Sequence, residues 1–425
     1  MKDKFQVDQI VILVLLTLIL FSMAVSNPFH SDESIFIYTS SFFEHSLNLD
    51  LSQPYWDVSF FTLCAPMLPR YFIAAGRLIA GYGVENLNQP YDVGLSREEN
   101  ITEGRVPDPK LLFASRTPMV VFTIFSLMFF YLLLKNSYHW LAGLSFLGLI
   151  ITNKLIPAQM LRAMSEAPLM GFFILSAILF YFAQKHWLAY AANPTDKNKL
   201  KKSYLFIILC GVAVGLAASS KINAFLIGFA VFILMVYLLF FAESKLAKQE
   251  KIKQFIRLGL FFVFSAILIF IILNPFLYPQ PFVRMGLLLK YRVQEISQQI
   301  TQVSSEAIIE GNLLQRAVSI FGRLLTDYSS LHFRGAMWLN LSMFLVGIGS
   351  FIWKMIAELK HRQELSPMTL VGIMAFPIVG AAFLSPMWWS RYFFFPEFFV
   401  IFFIVIGFGF IVDRFIKWIM IITNI

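Results

Sequence analysis

Long apolar runs separated by short polar breaks pattern this chain from end to end. A helix needs about 20 mostly apolar residues to cross the hydrocarbon of a bilayer. Ten stretches reach or approach that length: 8–26, 117–134, 139–152, 166–183, 204–219, 222–241, 256–273, 337–353, 367–385 and 393–412. The third and fifth are short. Lys2 and Lys4 precede the first run, and basic loops recur after alternate runs as KHWLAYAANPTDKNKLKKS, ESKLAKQEKIKQFIR and KMIAELKHRQ. With ten spans, all of these fall on one side. An excess of Lys and Arg marks the cytoplasmic side, so both termini are expected there. An alternative reading of the first run is a cleaved signal peptide, because Ala24-Val25-Ser26 resembles a cleavage site.

Two longer segments, 27–115 and 274–336, fall on the opposite side. In the first, SIFIYTSSFFEHSL reads as an amphipathic helix with an aromatic face. PMLPRYFIAAGRLIAGYG reads as a second one, interrupted by Arg70 and Arg77. Such helices lie along the membrane surface. An eleventh span here is disfavoured by two Arg and two Pro, and it would spoil the charge pattern. Residues 83–110 read as polar loop. In the second segment, LLLKYRVQEISQQITQVSSEAIIEGNLLQRAVSIFGRLL reads as one or two helices beside the bilayer. The expectation is an all-α integral membrane protein: one polytopic bundle of about ten helices over 1–425. It shows no internal repeat and no separate soluble C-terminal domain.

Composition strengthens that reading. Hydrophobic residues make up 58% of the 425 and charged residues only 14%. Mean hydropathy is +0.71. A soluble domain of this size needs far more polar surface. The formal net charge of +9 suits cytoplasmic loops facing anionic lipid rather than a nucleic acid partner. Cys64 falls in a loop and Cys210 inside an apolar run, so no disulfide is expected between them. No CxxC spacing occurs.

Charges at the ends of spans are costly and usually functional. The side opposite the basic loops collects several. Asp32 and Glu33 follow the first span, Arg116 opens the second, and Arg162 and Glu166 flank a break beside Lys154. Lys221 stands between two runs with almost no loop, and Arg391 between two more. Each has a plainer explanation. Asp32 could cap a helix beginning at Glu33, Arg116 could snorkel to the headgroups, and Arg162 and Glu166 stand four apart as in a helical ion pair. Arg391, among Trp388, Trp389 and Tyr392, could be a belt residue with cation–π contacts. Lys221 is harder to dismiss, because a tight turn on this side has no topological need for Lys. The patch as a whole suits a lipid-linked phosphate. Bases neutralise it, Arg can hold it bidentately, and a facing carboxylate can take a proton from an incoming hydroxyl. That combination fits sugar transfer from a polyprenyl-phosphate donor.

NPFHSDESIFIYTSSF resembles the Asp-Glu motif in the first outer loop of the GT-C glycosyltransferases, of the protein O-mannosyltransferase and lipid A aminoarabinose transferase type (glycosyltransferase families 39 and 83). PMLPRYFIAAGRLIAGYG, ASRTPMVVFTIF, GLAASSKINAFLIGF and SRYFFFPEFFVIFF resemble later stretches of that family, in order. LRAMSEAPLMGFF is similar to its Arg-x-x-x-Asp stretch, with Glu166 where Asp is usual. The resemblance implies Asp32 as catalytic base, Glu33 as its support or as a positioner of the acceptor, and Glu166 as a second acid. It implies Arg116, Lys221, Arg391 and Arg162 at the donor phosphate. It also implies inversion at the anomeric carbon and a polyprenyl-phosphate sugar as donor. No cofactor is required, and a divalent cation at the carboxylates is compatible but unsupported.

The sugar and the acceptor stay open; protein, lipid A, another glycolipid and cell-wall glycan all fit. A bacterial inner membrane, with the active side outside the cytoplasm, is the expected location. Two other readings remain: a polytopic transporter, disfavoured because the charges avoid the bilayer midplane, and a lipid-linked glycan polymerase or ligase.

Overall fold

The computed structural model describes residues 7–50, 54–302, 308–331, 333–361 and 364–422. The basic residues Lys2, Lys4 and Arg362, and positions 303–307 of the second long segment, lie outside the described residues. Helix α1 (Val7–Ser26) is followed by α2 (Ser31–Tyr38), α3 (Phe42–Leu47), α4 (Phe60–Leu63), α5 (Leu68–Ile79) and α6 (Arg97–Thr102). Next come α7 (Pro109–Ser137), α8 (Trp140–Thr152), α9 (Ile156–Met160), α10 (Glu166–Ala192), α11 (Lys197–Ser220) and α12 (Phe225–Val236). The chain ends through α13 (Lys248–Ile272), α14 (Pro281–Gln302), α15 (Leu313–Leu325), α16 (Ala336–Lys360), α17 (Pro367–Ala382) and α18 (Ser390–Ile422). Among the described residues, eight segments are long and apolar enough to cross a membrane: α1, α7, α10, α11, Ile222–Phe241 around α12, α13, α16 and α18. Helices α8 and α17 are shorter and apolar. Together these match the ten apolar runs of the sequence, and the fold is an all-α membrane bundle.

The ends of these helices sort into two faces. At one, Asp8 near the start of α1 pairs with Lys135 near the end of α7 at 2.5 Å. The Lys245 amide bonds the Ala191 carbonyl at 3.0 Å, and Arg414 lies over Trp353. The other face receives the turn after α1, the α8–α10 connection, Lys221 and the start of α18. Packing between the faces relies on aromatic edges and small residues. Phe130 of α7 meets Phe398 of α18 with ring centres 4.8 Å apart and Phe146 of α8 at 5.5 Å. The first is edge-to-face and the second stacked, and such aromatic pairs add about 0.5–1.5 kcal/mol each beyond burial. Helices α16 and α18 cross at Gly347 and Gly407, where a Cβ on either residue would run into the partner's backbone. Without a hydrophobic drive between helices in lipid, such close backbone approach is a main source of association.

The first long segment departs from its expected form in two ways. SIFIYTSSFFEHSL is not one helix: α2 and α3 are separated by a 3-10 turn over Thr39–Ser41. Three successive hydroxyls bond back to carbonyls there, Thr39 to Ile35, Ser40 to Ile37 and Ser41 to Tyr38, which competes with regular helix. Helix α5, by contrast, runs unbroken through Arg70 and Arg77, and both side chains are buried. Arg77 donates to Ser40 Oγ at 2.8 Å, the Tyr82 carbonyl at 2.9 Å and Glu44 Oε1 at 2.5 Å. Arg70 donates to Met67 Sδ and Cys64 Sγ. Gly76 lets α5 lie against α7, where a Cβ would meet the Ala114 carbonyl and the Pro118 ring. The surface layer is thereby fixed beside Arg116.

Candidate active site

The turn after α1 is short, and its free carbonyls need partners. Arg116 of α7 supplies them. Its Nη1 donates to the Ala24 carbonyl at 2.8 Å and the Asn27 carbonyl at 2.7 Å, and its Nη2 to the Pro28 carbonyl at 3.3 Å. The same guanidinium grips Glu33 bidentately, with Nε–Oε1 at 2.7 Å and Nη2–Oε2 at 2.6 Å. Both side chains are buried. Glu33 Oε1 also accepts from the Ala163 amide at 2.9 Å, and Oε2 from the His30 amide at 3.1 Å.

The last of these bonds belongs to a capping box at the start of α2. His30 is the N-cap, and its Nδ1 accepts from the Asp32 amide at 3.2 Å. Asp32 therefore does not cap the helix, as its local sequence permitted. The capping role falls to His30, and the Asp32 carboxylate is left free for another partner. Consecutive helical residues point about 100° apart. While Glu33 turns inward, Asp32 reaches a partly open surface, with 26% of its side chain exposed, and pairs there with Nη1 of Arg391. His30 Nδ1 lies 3.8 Å from the same carboxylate. Burial pulls the His30 imidazole below its ordinary pKa of 6.5, with Asp32 opposing and Arg162 and Arg391 assisting. His30 is therefore neutral at pH 7.

Arg391 opens α18 and lies over two rings, 4.7 Å from the centre of Trp389 and 5.5 Å from that of Tyr392. Tyr392 also underlies Lys221, whose Nζ is 5.9 Å from its centre. Lys221 caps the C-terminus of α11 in an extended conformation and donates to Glu166 Oε1 at 3.0 Å. Glu166, the first residue of α10, is buried, while Lys221 keeps 24% of its side chain exposed. The i,i+4 pairing of Arg162 with Glu166 does not form, because Arg162 precedes α10 and Glu166 turns to Lys221 instead. Arg162 is half-buried, and its Nε is buried without a hydrogen-bond partner. Desolvation lowers its basicity, and Glu33, Asp32 and Glu166 partly restore it. A guanidinium among three acids with an unused donor is short of an acceptor, and an oxyanion would supply one.

The fold thus brings all seven sequence-predicted residues to one face, but not into one role. Arg116 has each guanidinium nitrogen bonded to protein, so it offers no donor to a phosphate and acts as the clamp of the α1–α2 turn. Glu33 is its buried counter-charge. The groups that stay partly accessible are Asp32, Arg391, Lys221 and Arg162. Lys154, in the connection between α8 and α9, is exposed. His30 was missed because it precedes the acidic pair, although a polar residue just before an x-x-Glu helix start is a capping signal. Among the described residues no group of three or more His, Cys, Asp or Glu is arranged to hold a metal ion.

The family model for dolichyl-phosphate-mannose-protein mannosyltransferases matches residues 35–283, more than half of the chain. That stretch includes Arg116, Arg162, Glu166 and Lys221 and begins just after Glu33. No curated protein sequence matches. Among solved structures, the Archaeoglobus fulgidus oligosaccharyltransferase, in complex with an inhibitory peptide and a dolichol-phosphate, is 11% identical. Its TM-score is 0.52 over 99% of this chain and 52% of its own. The apo form of the Archaeoglobus fulgidus enzyme gives 0.53 over 100% and 52%. The S. cerevisiae protein O-mannosyltransferase complex bound to the sugar donor is 14% identical, with a TM-score of 0.42 over 65% of this chain and 34% of its own. This chain spans about half the length of the archaeal enzyme. What the two share is the fold, a polytopic helical bundle of the GT-C type.

Proposed function

The chain belongs to the dolichyl-phosphate-mannose-protein mannosyltransferase family, and on that premise we propose that it is a membrane glycosyltransferase drawing its sugar from a polyprenyl-phosphate donor. The observation that carries this reading is the half-open pair of Asp32 and Arg391, flanked by Lys221 and the under-bonded Arg162. The donor phosphate enters between Arg391, Lys221 and Arg162 and takes over Arg391 from Asp32. That exchange leaves the Asp32 carboxylate free to act as general base. The acceptor hydroxyl gives its proton to Asp32 while its oxygen attacks the anomeric carbon from the face opposite the phosphate. The new C–O bond forms, the bond to the phosphate oxygen breaks, and the sugar configuration inverts. Polyprenyl monophosphate leaves, with its growing charge held by the three bases.

The remaining charges act at one remove. Glu33 and Arg116 hold the start of α2, and with it Asp32, against α7. Glu166 aims Lys221. The step as written uses no metal ion, and a divalent cation at the carboxylates is compatible with it. The reading treats the chain as one membrane domain whose segments 27–115 and 274–336 cover the site on the extracytoplasmic side. Both termini are then in the cytoplasm, and the membrane is a bacterial inner membrane. The acceptor class stays at a hydroxyl of a protein, lipid or glycan. The direct test incubates the purified chain in nanodiscs with radiolabelled polyprenyl-phosphate sugars, using crude membrane extract as acceptor. Release of polyprenyl phosphate supports the reading. No release from any donor contradicts it.

A further inference from the structure

Among the described residues no hydrogen bond from its side chain fixes Arg162, and its buried Nε has no partner, so the backbone that carries it must set its position. That backbone, residues 153–163, is tied down at three places. At its start Asn153 Oδ1 accepts from the amides of Leu155 and Ile156 at 2.8 and 2.9 Å, which fixes the entry to α9. At its middle Gln159 Nε2 donates to Ser390 Oγ at 3.2 Å. At its end the Ala163 amide reaches Glu33.

Asn153 has a second attachment. Its Nδ2 donates to Glu397 Oε1 at 2.8 Å and to the Tyr328 carbonyl at 2.5 Å. Glu397 lies inside α18, six residues beyond Arg391, and is buried. An ionisable side chain within a membrane helix is costly and is kept for a purpose. Its other oxygen, Oε2, has no hydrogen-bond partner. Glu397 helps line a small cavity of about 10 Å³ with Ser329, Ser330 and Asn340. Such a space holds about one water, and these polar walls suit one. The α9 segment is therefore laced to α18 on both sides of Arg391, through Ser390 and through Glu397.

We propose that Asn153 and Glu397 are positioning residues that fix the spacing between Arg162 and Arg391, so that the two guanidiniums act as one clamp on a phosphate. This rests on the reading of the site as a polyprenyl-phosphate site. Neither residue touches the phosphate. Their bond sets where α9 sits against α18, and a misplacement of about 1 Å costs on the order of a hundredfold at a site of this kind.

The test titrates polyprenyl phosphate into the purified full chain in nanodiscs, following intrinsic fluorescence, with melting temperature measured in parallel. Glu397→Ala is expected to weaken binding by about ten- to a hundredfold. Glu397→Gln, whose amide oxygen still accepts from Asn153, is expected to restore most of it. Adding Arg162→Ala to Glu397→Ala should weaken binding by less than Arg162→Ala does alone, because the clamp is already misaligned. If Glu397→Ala fails to fold, Asn153→Ala removes the same bond from the other side and carries the same expectation. Unchanged binding in a folded variant lacking the bond overturns the proposal, and so does Glu397→Gln binding as weakly as Glu397→Ala. Should the wild type fail to bind, or Arg162→Ala bind as well as wild type, it is the reading of the site that fails.

Discussion

Arg116 holds Glu33 with two parallel hydrogen bonds inside the bundle, while the neighbouring Asp32 turns outward to Arg391. Two adjacent carboxylates thus have opposite fates. One is sealed against a cation with no donor to spare. The other sits at an opening, on a cation that a stronger anion can take. The first holds the helix that carries the second.

The buried pair predicts a stability effect larger than a surface ion pair gives. Glu33→Gln or Arg116→Met strands a charge in the bundle and is expected to cost about 3–5 kcal/mol. Glu33→Leu combined with Arg116→Met should recover part of that, because no charge remains buried. Thermal unfolding in detergent reads the difference. Equal stability of wild type and either single variant would contradict the geometry.

Arg162 predicts the reverse pattern. Its Nε makes no bond in the protein, so Arg162→Ala should leave the melting temperature near that of wild type. Donor turnover should nonetheless fall on the order of tenfold to a hundredfold, since one donor to the leaving charge is lost. A large loss of stability with normal turnover in the surviving protein would make Arg162 a structural residue.

Lys221 and Glu166 should behave as a unit. Lys221→Met removes a charge from the phosphate and is expected to raise the donor KM sharply. Glu166→Gln leaves the ammonium in place but less well aimed, so its effect should be in the same direction and smaller. A Glu166→Gln defect exceeding that of Lys221→Met would instead assign Glu166 a part in the chemistry.

His30 gives a pH dependence with a defined sign. Burial holds its folded-state pKa below the ordinary 6.5. Above 6.5 both folded and unfolded chains carry neutral His30, and no penalty arises. As pH falls below 6.5 the unfolded imidazole takes a proton that the folded one resists, so stability declines until the folded group also protonates. Protonation further removes the Nδ1 acceptor that caps α2. The charged groups facing His30 are Asp32, Glu33, Arg162 and Arg391. His30→Asn keeps a capping side chain without the titration, so its melting temperature should fall less than that of wild type between pH 6.5 and 5. Parallel curves would show that His30 does not titrate in this range.

Much of this architecture was legible from the sequence. The ten apolar runs became the ten apolar helical segments, because span length and hydropathy are local properties. The gathering of charges at one face followed from alternation of the spans alone. What was not legible depends on packing. Nothing local distinguishes Arg116, which ends in the bundle, from Arg391, which ends at an opening. Arg70 and Arg77 read as interruptions of a surface helix, yet both turn inward, Arg77 to Glu44 and Ser40 on a segment some thirty residues earlier. The break at Thr39–Ser41 had a sequence signal in its three hydroxyls. Glu397 also had one, as the lone acid in FFFPEFF, but its partner Asn153 is 244 residues away.

The account rests on Asp32 as the base that activates the acceptor, and one comparison tests it most directly. Wild type, Asp32→Asn and Asp32→Ala would be assayed side by side for release of polyprenyl phosphate from a donor the wild type accepts. Donor binding and melting temperature would be checked in the same preparations. The account predicts that both variants fold and bind donor while turnover falls on the order of a hundred- to ten-thousandfold. Near-normal turnover in both would contradict it and remove Asp32 from the chemistry.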